Sequence, residues 1–298
     1  MPHVTSAAEG VLPAADLPTV IAMAVLAGAC ATLLHEGLGH GGACVLSGGH
    51  NLVISTVEES CTLANHWIDA AGTLVNLAAG LICWWWMHRI RRAARLRYFV
   101  WLLTAFNLLT GAGYFLFSGV GGLGDWAAVI AGQHPVWLWR TGLAVGGGVL
   151  YAAVLALLLH ELIPFLPVDG MARSQHARRL MLAPYFTYGV LSVVAGLFNP
   201  VGAVLIAESA AAAAFGGVSG LWWGMPYVRY PRYGRAGSKF VLDRRSRGWI
   251  IAGAVVAVVF IAAIGPGVRP QAPEGFHTAA SLRWPGAPEC DSARRSGR

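Results

Sequence analysis

Apolar residues fall in long, nearly unbroken runs along this chain, and polar residues gather between them. With about 20 apolar residues taken as the length that crosses a bilayer, the first run spans Leu17 to about His40, with Asp16 as its N-cap and Pro18 in its first turn. A second spans His66 to Met87 and ends in Trp84, Trp85 and Trp86, an aromatic belt of the kind found at membrane borders. Tyr98 to about Ser118 and Val136 to Leu159 are the third and fourth. Met181 to Phe198 and Val201 to Trp223 read as two spans broken at Asn199-Pro200, a turn-forming dipeptide. The second of these holds the run Ala210 to Ala214, which suits close helix packing. Trp249 to Ile264 is a short last span. The pattern predicts an all-α, polytopic transmembrane helix bundle of about six to seven spans. It forms a single transmembrane domain over residues 1–266, and the Pro-, Gly-, Ser- and Arg-bearing tail over 267–298 is expected to be disordered.

Composition sharpens this. Only 12% of the 298 residues are charged and 56% are hydrophobic, against roughly 25% charged in an ordinary soluble domain, which excludes a soluble single domain. A net charge of +7 on a soluble chain would suggest nucleic acid as a partner. Here 15 of the 21 cations sit in three short connectors, His88 to Arg97, Arg173 to Arg179 and Arg229 to Arg247. Blocks of that kind orient a membrane protein by staying on the cytoplasmic side, so no nucleic acid is expected.

Seven spans then place the N-terminus inside, the C-terminus outside, and Gly41 to Asn65, which lacks Lys and Arg, outside or dipping into the outer leaflet. Cys44 and Cys61 of that segment either pair in an oxidising compartment or remain two unpaired small residues. No basic stretch precedes the first span, so a cleaved leader is not expected. The expected location is a multi-pass position in a bacterial inner membrane.

Ionisable side chains inside a membrane are costly and mark function by default. The clearest set is His35-Glu36-Gly37-Leu38-Gly39-His40 at the end of the first span. Neutral imidazoles hold Zn2+, which lowers the pKa of a bound water, while a neighbouring Glu that does not ligate takes the proton. The usual spacing for this chemistry is His-Glu-x-x-His, which puts both imidazoles on one helical face. His35 and His40 are one residue further apart, and an ideal helix would splay them by about 140°. A π-type bulge or unwinding at Gly37 or Gly39 would restore convergence, and the glycines make that distortion cheap.

This motif at a transmembrane helix end, followed by Ala71-Gly72-Thr73-Leu74-Val75-Asn76 in the next span, resembles the site-2 protease family of intramembrane zinc metalloproteases. That family pairs a His-Glu-x-x-His helix with a Gly-x-x-x-Asn segment and takes a third ligand from an Asp-Gly-type motif on a later span. The likeness covers mainly Leu17 to about Ala131. A His-Glu-x-x-x-His zinc motif is also known from the soluble dipeptidyl-peptidase III family, so the extra residue is compatible with metal. The resemblance implies Zn2+ as cofactor, His35 and His40 as ligands, Glu36 as general base and Asn76 as a residue contacting the substrate backbone. It also implies a membrane-protein or peptide substrate beside the lipid bilayer.

For the third ligand, the wording Pro167-Val168-Asp169-Gly170 favours Asp169, whereas the span order puts Asp125 on the membrane face of His35 and Asp169 a full span, about 30 Å, away. The expectation is Asp125, with Asp169 as alternative and His66 as a substitute for His40. Asp69, one turn from His66, could orient it; His160-Glu161 and Glu208 are weaker candidates. Competing functions are a transporter or proton relay and a non-catalytic relative of the protease family. A di-iron oxygenase would need His-rich boxes that ten dispersed histidines do not supply.

Overall fold

A computed structural model describes residues 13–168, 170–200, 206–229 and 239–270. The chain is an all-α transmembrane bundle. Among the described residues, five helical stretches are long and apolar enough to cross a membrane: Leu17–Leu46, His66–Met87, Ala94–Gly121, Val136–Phe165 and Arg247–Ile264. The first consists of α1 (Leu17–Leu33), a π-helical turn (Leu34–Gly41) and α2 (Gly42–Leu46). A small antiparallel hairpin of β1 (Asn51–Ile54) and β2 (Glu59–Cys61) follows, then α3 (His66–Met87), α4 (Ala94–Gly121), the short α5 (Asp125–Val129) and α6 (Val136–Leu162).

Beyond α6 come α7 (Gly170–Ala177) and α8 (Ala183–Gly196), the latter entered through a π turn at Arg178–Leu182. A π-helical segment, Ile206–Gly217, leads to α9 (Gly220–Trp223), and α10 (Arg247–Val259) ends in the π turn Phe260–Ile264. The fifth and sixth expected spans are not among these five: helix runs unbroken from Gly170 through Gly196 but begins in the Arg-bearing connector, and in the sixth Ile206–Gly217 is helical while Val201 to Leu205 lie outside the described residues. The expected tail lies mostly outside them too, but Val268 belongs to the fold and pairs with Ile54 in both directions, at 2.9 and 2.8 Å.

α4 is the axis of the bundle. It packs against α1, α3, α6 and the segment Ile206–Gly217, and its Tyr98, Trp101, Phe106 and Leu109 are wholly buried. Two of its large side chains pair their polar atoms with carbonyls of neighbouring segments: Trp101 Nε1 donates to the Leu158 carbonyl at 3.1 Å and Tyr98 Oη to the Leu180 carbonyl at 2.9 Å. Each span ends where its sequence stops it. Asp16 caps α1 by accepting from Thr19 N and Oγ1 at 3.1 and 2.7 Å. Asn65 caps α3 through Ile68 N at 2.9 Å.

The two ends of the bundle differ. At one, Arg245 meets Asp16 at 3.4 Å, Arg179 donates to the Ala15 carbonyl, and buried Glu161 is bridged by His88 at 3.0 Å and Arg97 at 3.4 Å. The other end carries the π turn Leu34–Gly41, the hairpin and α5. A disulfide joins Cys44 of α2 to Cys61 of β2, anchoring the hairpin to the helix that bears His35 and His40. Cys30 and Cys83 are free.

Candidate metal centre

In a π turn each peptide hydrogen-bonds five residues on, so side chains five apart lie on one face. Leu34–Gly41 forms such a turn, and the imidazoles of His35 and His40 converge, with their Nε2 atoms 3.2 Å apart. Gly37 has open space where a side chain would begin. Gly39 lies against α3 so closely that a Cβ there would sit 2.5 Å from Gly72 Cα. Gly72 is the reciprocal requirement: a Cβ on it would collide with His40 Nε2 and come within 2.8 Å of His35. Two glycines on two helices thus make the room in which both rings fit.

Asp125 completes the set. The α4–α5 connection turns at Gly122 and Gly124, whose φ values of 70° and 80° suit glycine, and Asp125 follows at the start of α5. Its Oδ2 lies 3.2 Å from His35 Nε2 and 3.5 Å from His40 Nε2. Zinc held tetrahedrally by nitrogen and oxygen at its usual bond lengths keeps its ligand atoms about 3.3 Å apart, and the three observed separations bracket that value. Burial pushes the Asp125 carboxyl up, but the imidazoles of His40 and His35 outweigh it and hold the group well below the usual carboxylate range, ionised.

The outer atoms of the imidazoles fix their tautomers. His35 Nδ1 meets Asn76 Oδ1 at 2.6 Å, and His40 Nδ1 meets the Ile68 carbonyl at 2.7 Å. Both partners are acceptors, so both Nδ1 atoms carry a proton, and both Nε2 atoms are turned inward toward Asp125. Asn76 is oriented in turn: its amide donates to Asn107 Oδ1 at 2.7 Å and to the Ala31 carbonyl at 3.1 Å, while Asn107 donates to the Leu103 carbonyl at 2.8 Å. Thr73 donates to Asp125 Oδ2 at 3.2 Å. Tyr114 stacks on His35, with ring centroids 4.7 Å apart.

Glu36 is buried and lines a cavity beside His35, and its carboxylate makes no hydrogen bond among the described residues. Asn76 is wholly buried, with both ends of its amide engaged, by His35 on one side and by the Ala31 carbonyl and Asn107 on the other. His66 is exposed, bonds the Ala128 carbonyl at 3.2 Å and is absent from the converging set; no hydrogen bond joins it to Asp69 among the described residues. Glu161 lies at the opposite end with Trp84, His88 and Arg97. Asp169 lies outside the described residues, as does the side chain of Glu208. Cys44, Glu59 and Cys61 also cluster, but their sulfurs are joined to each other.

Sequence alone did not reveal Thr73, Asn107 or Tyr114 as parts of this centre. A signal existed for Asn107, an amide in the middle of an apolar run, and for Thr73, which adjoins Gly72. None existed for Tyr114, an ordinary aromatic in a buried helix. Comparison with protein-family models, curated proteins and solved structures finds no match to this chain.

Proposed function

We propose that the chain is an intramembrane zinc metalloprotease that hydrolyses a peptide bond in or next to a membrane-spanning substrate. One observation carries this reading. Three atoms of the kind that ligate a metal, His35 Nε2, His40 Nε2 and Asp125 Oδ2, converge within 3.5 Å of one another in a largely buried site. Two imidazoles and one carboxylate are a set that catalytic zinc uses, with a fourth position left for water or substrate. The His-Glu-x-x-x-His wording and its likeness to the site-2 protease motif point the same way.

Zinc held there would polarise the scissile carbonyl and make a water nucleophilic near neutral pH. The remaining work falls to the chain. Glu36, in the cavity wall with no hydrogen bond among the described residues, takes the proton of the attacking water and delivers it to the leaving amine. Asn76, the Ile68 carbonyl and Thr73 keep the three ligand atoms aimed, so their geometry is set before substrate arrives. The surrounding helices keep bulk water away from the reacting bond, and a substrate segment must unwind to expose a peptide bond at Glu36.

Metal analysis of protein purified without chelator tests the reading. About one zinc per chain is expected, lost in His35→Ala and in Asp125→Ala. It should be retained in Glu36→Gln, in which hydrolysis of a membrane-anchored reporter is abolished. Wild-type protein without tightly bound metal overturns the proposal and leaves the competing reading, a proton relay through the same cluster.

A further inference from the structure

One face of α3 is left uncovered among the described residues. Leu74, Ala78, Leu81 and Trp85 recur three or four residues apart and are all exposed, so in a bilayer this stripe meets acyl chains. Four residues further on, just past the helix end, stands Arg89. Its guanidinium lies over the exposed Trp85 ring, with Cζ 4.4 Å from the centroid, and it makes no hydrogen bond or ion pair among the described residues. A guanidinium held on an aromatic face is ordered before a ligand arrives, and its planar fork of donors matches phosphate.

The surroundings of Arg89 are strongly positive. Arg91 and Arg92 are exposed in the same connector. Arg95 Nη2 donates to the Arg244 carbonyl at 3.0 Å, and the Phe99 ring meets that of Trp249 with centroids 4.9 Å apart, so the segment before α10 with Arg244 and Arg247 joins this surface. Most carboxylates here are engaged by other groups: Glu161 by His88 and Arg97, and Asp16 by Thr19 and Arg245. Asp243 is the remaining acid of the two connectors. Retention of positive loops in the cytoplasm accounts for cations at this end. It does not account for one of them being stacked on a tryptophan at the end of a lipid-facing stripe.

We propose that Arg89, stacked on Trp85 and reinforced by Arg91 and Arg92, binds the head-group phosphate of an anionic phospholipid whose acyl chain lies along the α3 stripe. Clusters of arginine next to a membrane span attract anionic lipid in this way. Phosphatidylcholine also carries a phosphate, but it brings a choline cation that the neighbouring arginines repel. The site lies at the opposite end of the bundle from His35, His40 and Asp125, and it stands whether or not those residues hold a metal.

The test uses the full chain reconstituted in phosphatidylcholine vesicles with a trace of spin-labelled phosphatidylglycerol or spin-labelled phosphatidylcholine. Electron paramagnetic resonance measures the fraction of each label held against the protein. Wild type is expected to prefer phosphatidylglycerol about 5-fold, and Arg89→Gln should remove most of that preference. Trp85→Leu, which keeps every charge, should lower it about 2-fold. Both side chains are exposed, so neither change opens the core, and Arg91→Gln with Arg92→Gln gives a second reading with the stacked pair intact. Arg269→Gln removes one exposed charge beside Val268, which pairs with the hairpin at the other end, and should leave the preference as it is. Equal retention of the two lipids by wild type overturns the site. So does a preference that falls alike in Arg89→Gln and Arg269→Gln, which would assign it to net charge, or one that neither Arg89→Gln nor Trp85→Leu alters. Excess inorganic phosphate should not release the lipid, because the acyl chain also holds it; release would assign the site to free phosphate and overturn the lipid proposal.

Discussion

At the scale of single residues, the centre depends as much on groups behind the ligands as on the ligands themselves. Asn76 shows this best. Its carbonyl oxygen holds His35 Nδ1 at 2.6 Å and its amide is anchored on Asn107 and Ala31, so removing it frees both the tautomer and the tilt of one ligand. Asn76→Ala is expected to weaken zinc binding about 10- to 100-fold, measured by competition with a calibrated chelator. Asn76→Asp, which retains an acceptor oxygen facing His35, should recover most of the affinity. Equal affinities in wild type and Asn76→Ala would show that His35 needs no partner. Gly72 and Asn76, four residues apart, were visible in the sequence as one face of one span, and the motif resemblance singled out both. Their roles were not visible. Gly72 serves by lacking a side chain where two imidazoles from another helix arrive, and such an approach is a property of packing between α3 and the π turn, to which local sequence is blind.

At the scale of elements, the π turn Leu34–Gly41 and the hairpin carry the argument. The five-residue spacing of His35 and His40 and the flexible Gly37 and Gly39 together made a π turn legible, because only a local wide turn reconciles that spacing with one shared metal. Deleting Gly37 should convert the turn to ordinary α-helix and leave His-Glu-Leu-Gly-His, in which the imidazoles are four apart and again share a face. This variant is expected to keep about one zinc per chain. A deletion at Ala29, outside the turn, should rotate His35 and His40 together away from Asp125 and lose the metal. The hairpin was not legible. Strands of four and three residues are too short for alternation to show, and the disulfide that anchors them was one of two open readings of Cys44 and Cys61. Within it, burial above all pushes the Glu59 carboxyl up to about 7, with Glu36 and Glu58 adding to the shift and His40 opposing it. The folded hairpin therefore favours the protonated acid. Its contribution to stability is complete below about 4.5, the ordinary pKa, and is lost as pH rises through about 7. Hydrogen-exchange protection factors of the hairpin amides should fall between pH 5 and pH 8 in wild type and change less in Glu59→Gln. The same pH dependence in both would remove Glu59 as its source.

At the scale of the whole molecule, the charge distribution becomes spatial. The described parts of the connectors after α3, around α7 and before α10, including Arg97, Arg179 and Arg245, lie at the end of the bundle where Asp16, Glu161 and the start of α1 are found. The π turn, the hairpin and α5 occupy the opposite end, and among the described residues the cations near that end are Arg140 and Arg269. Retention of basic connectors in the cytoplasm would turn the His35, His40 and Asp125 set outward. The Cys44–Cys61 disulfide supports the same orientation independently, since such bonds persist where the compartment is oxidising. The limits of the spans were legible because apolar length alone sets them, and His66 to Met87 coincides with α3 at both ends. The fifth and sixth spans were less so, because small-residue runs such as Ala210 to Ala214 mark close packing and leave helix type and length open. Orientation can be read in intact cells with a membrane-impermeant maleimide on chains bearing a single added cysteine. His50→Cys, in the exposed turn before β1, should label from outside, and Arg92→Cys, in the exposed connector after α3, only after the membrane is opened. The reverse pattern would place the centre on the cytoplasmic side and leave the Cys44–Cys61 bond in a reducing compartment, where it would not be expected to persist. With the expected pattern, the proposed protease would reach peptide bonds near the outer border of the membrane, and the substrates to be sought would be proteins whose membrane-spanning segments can unwind there.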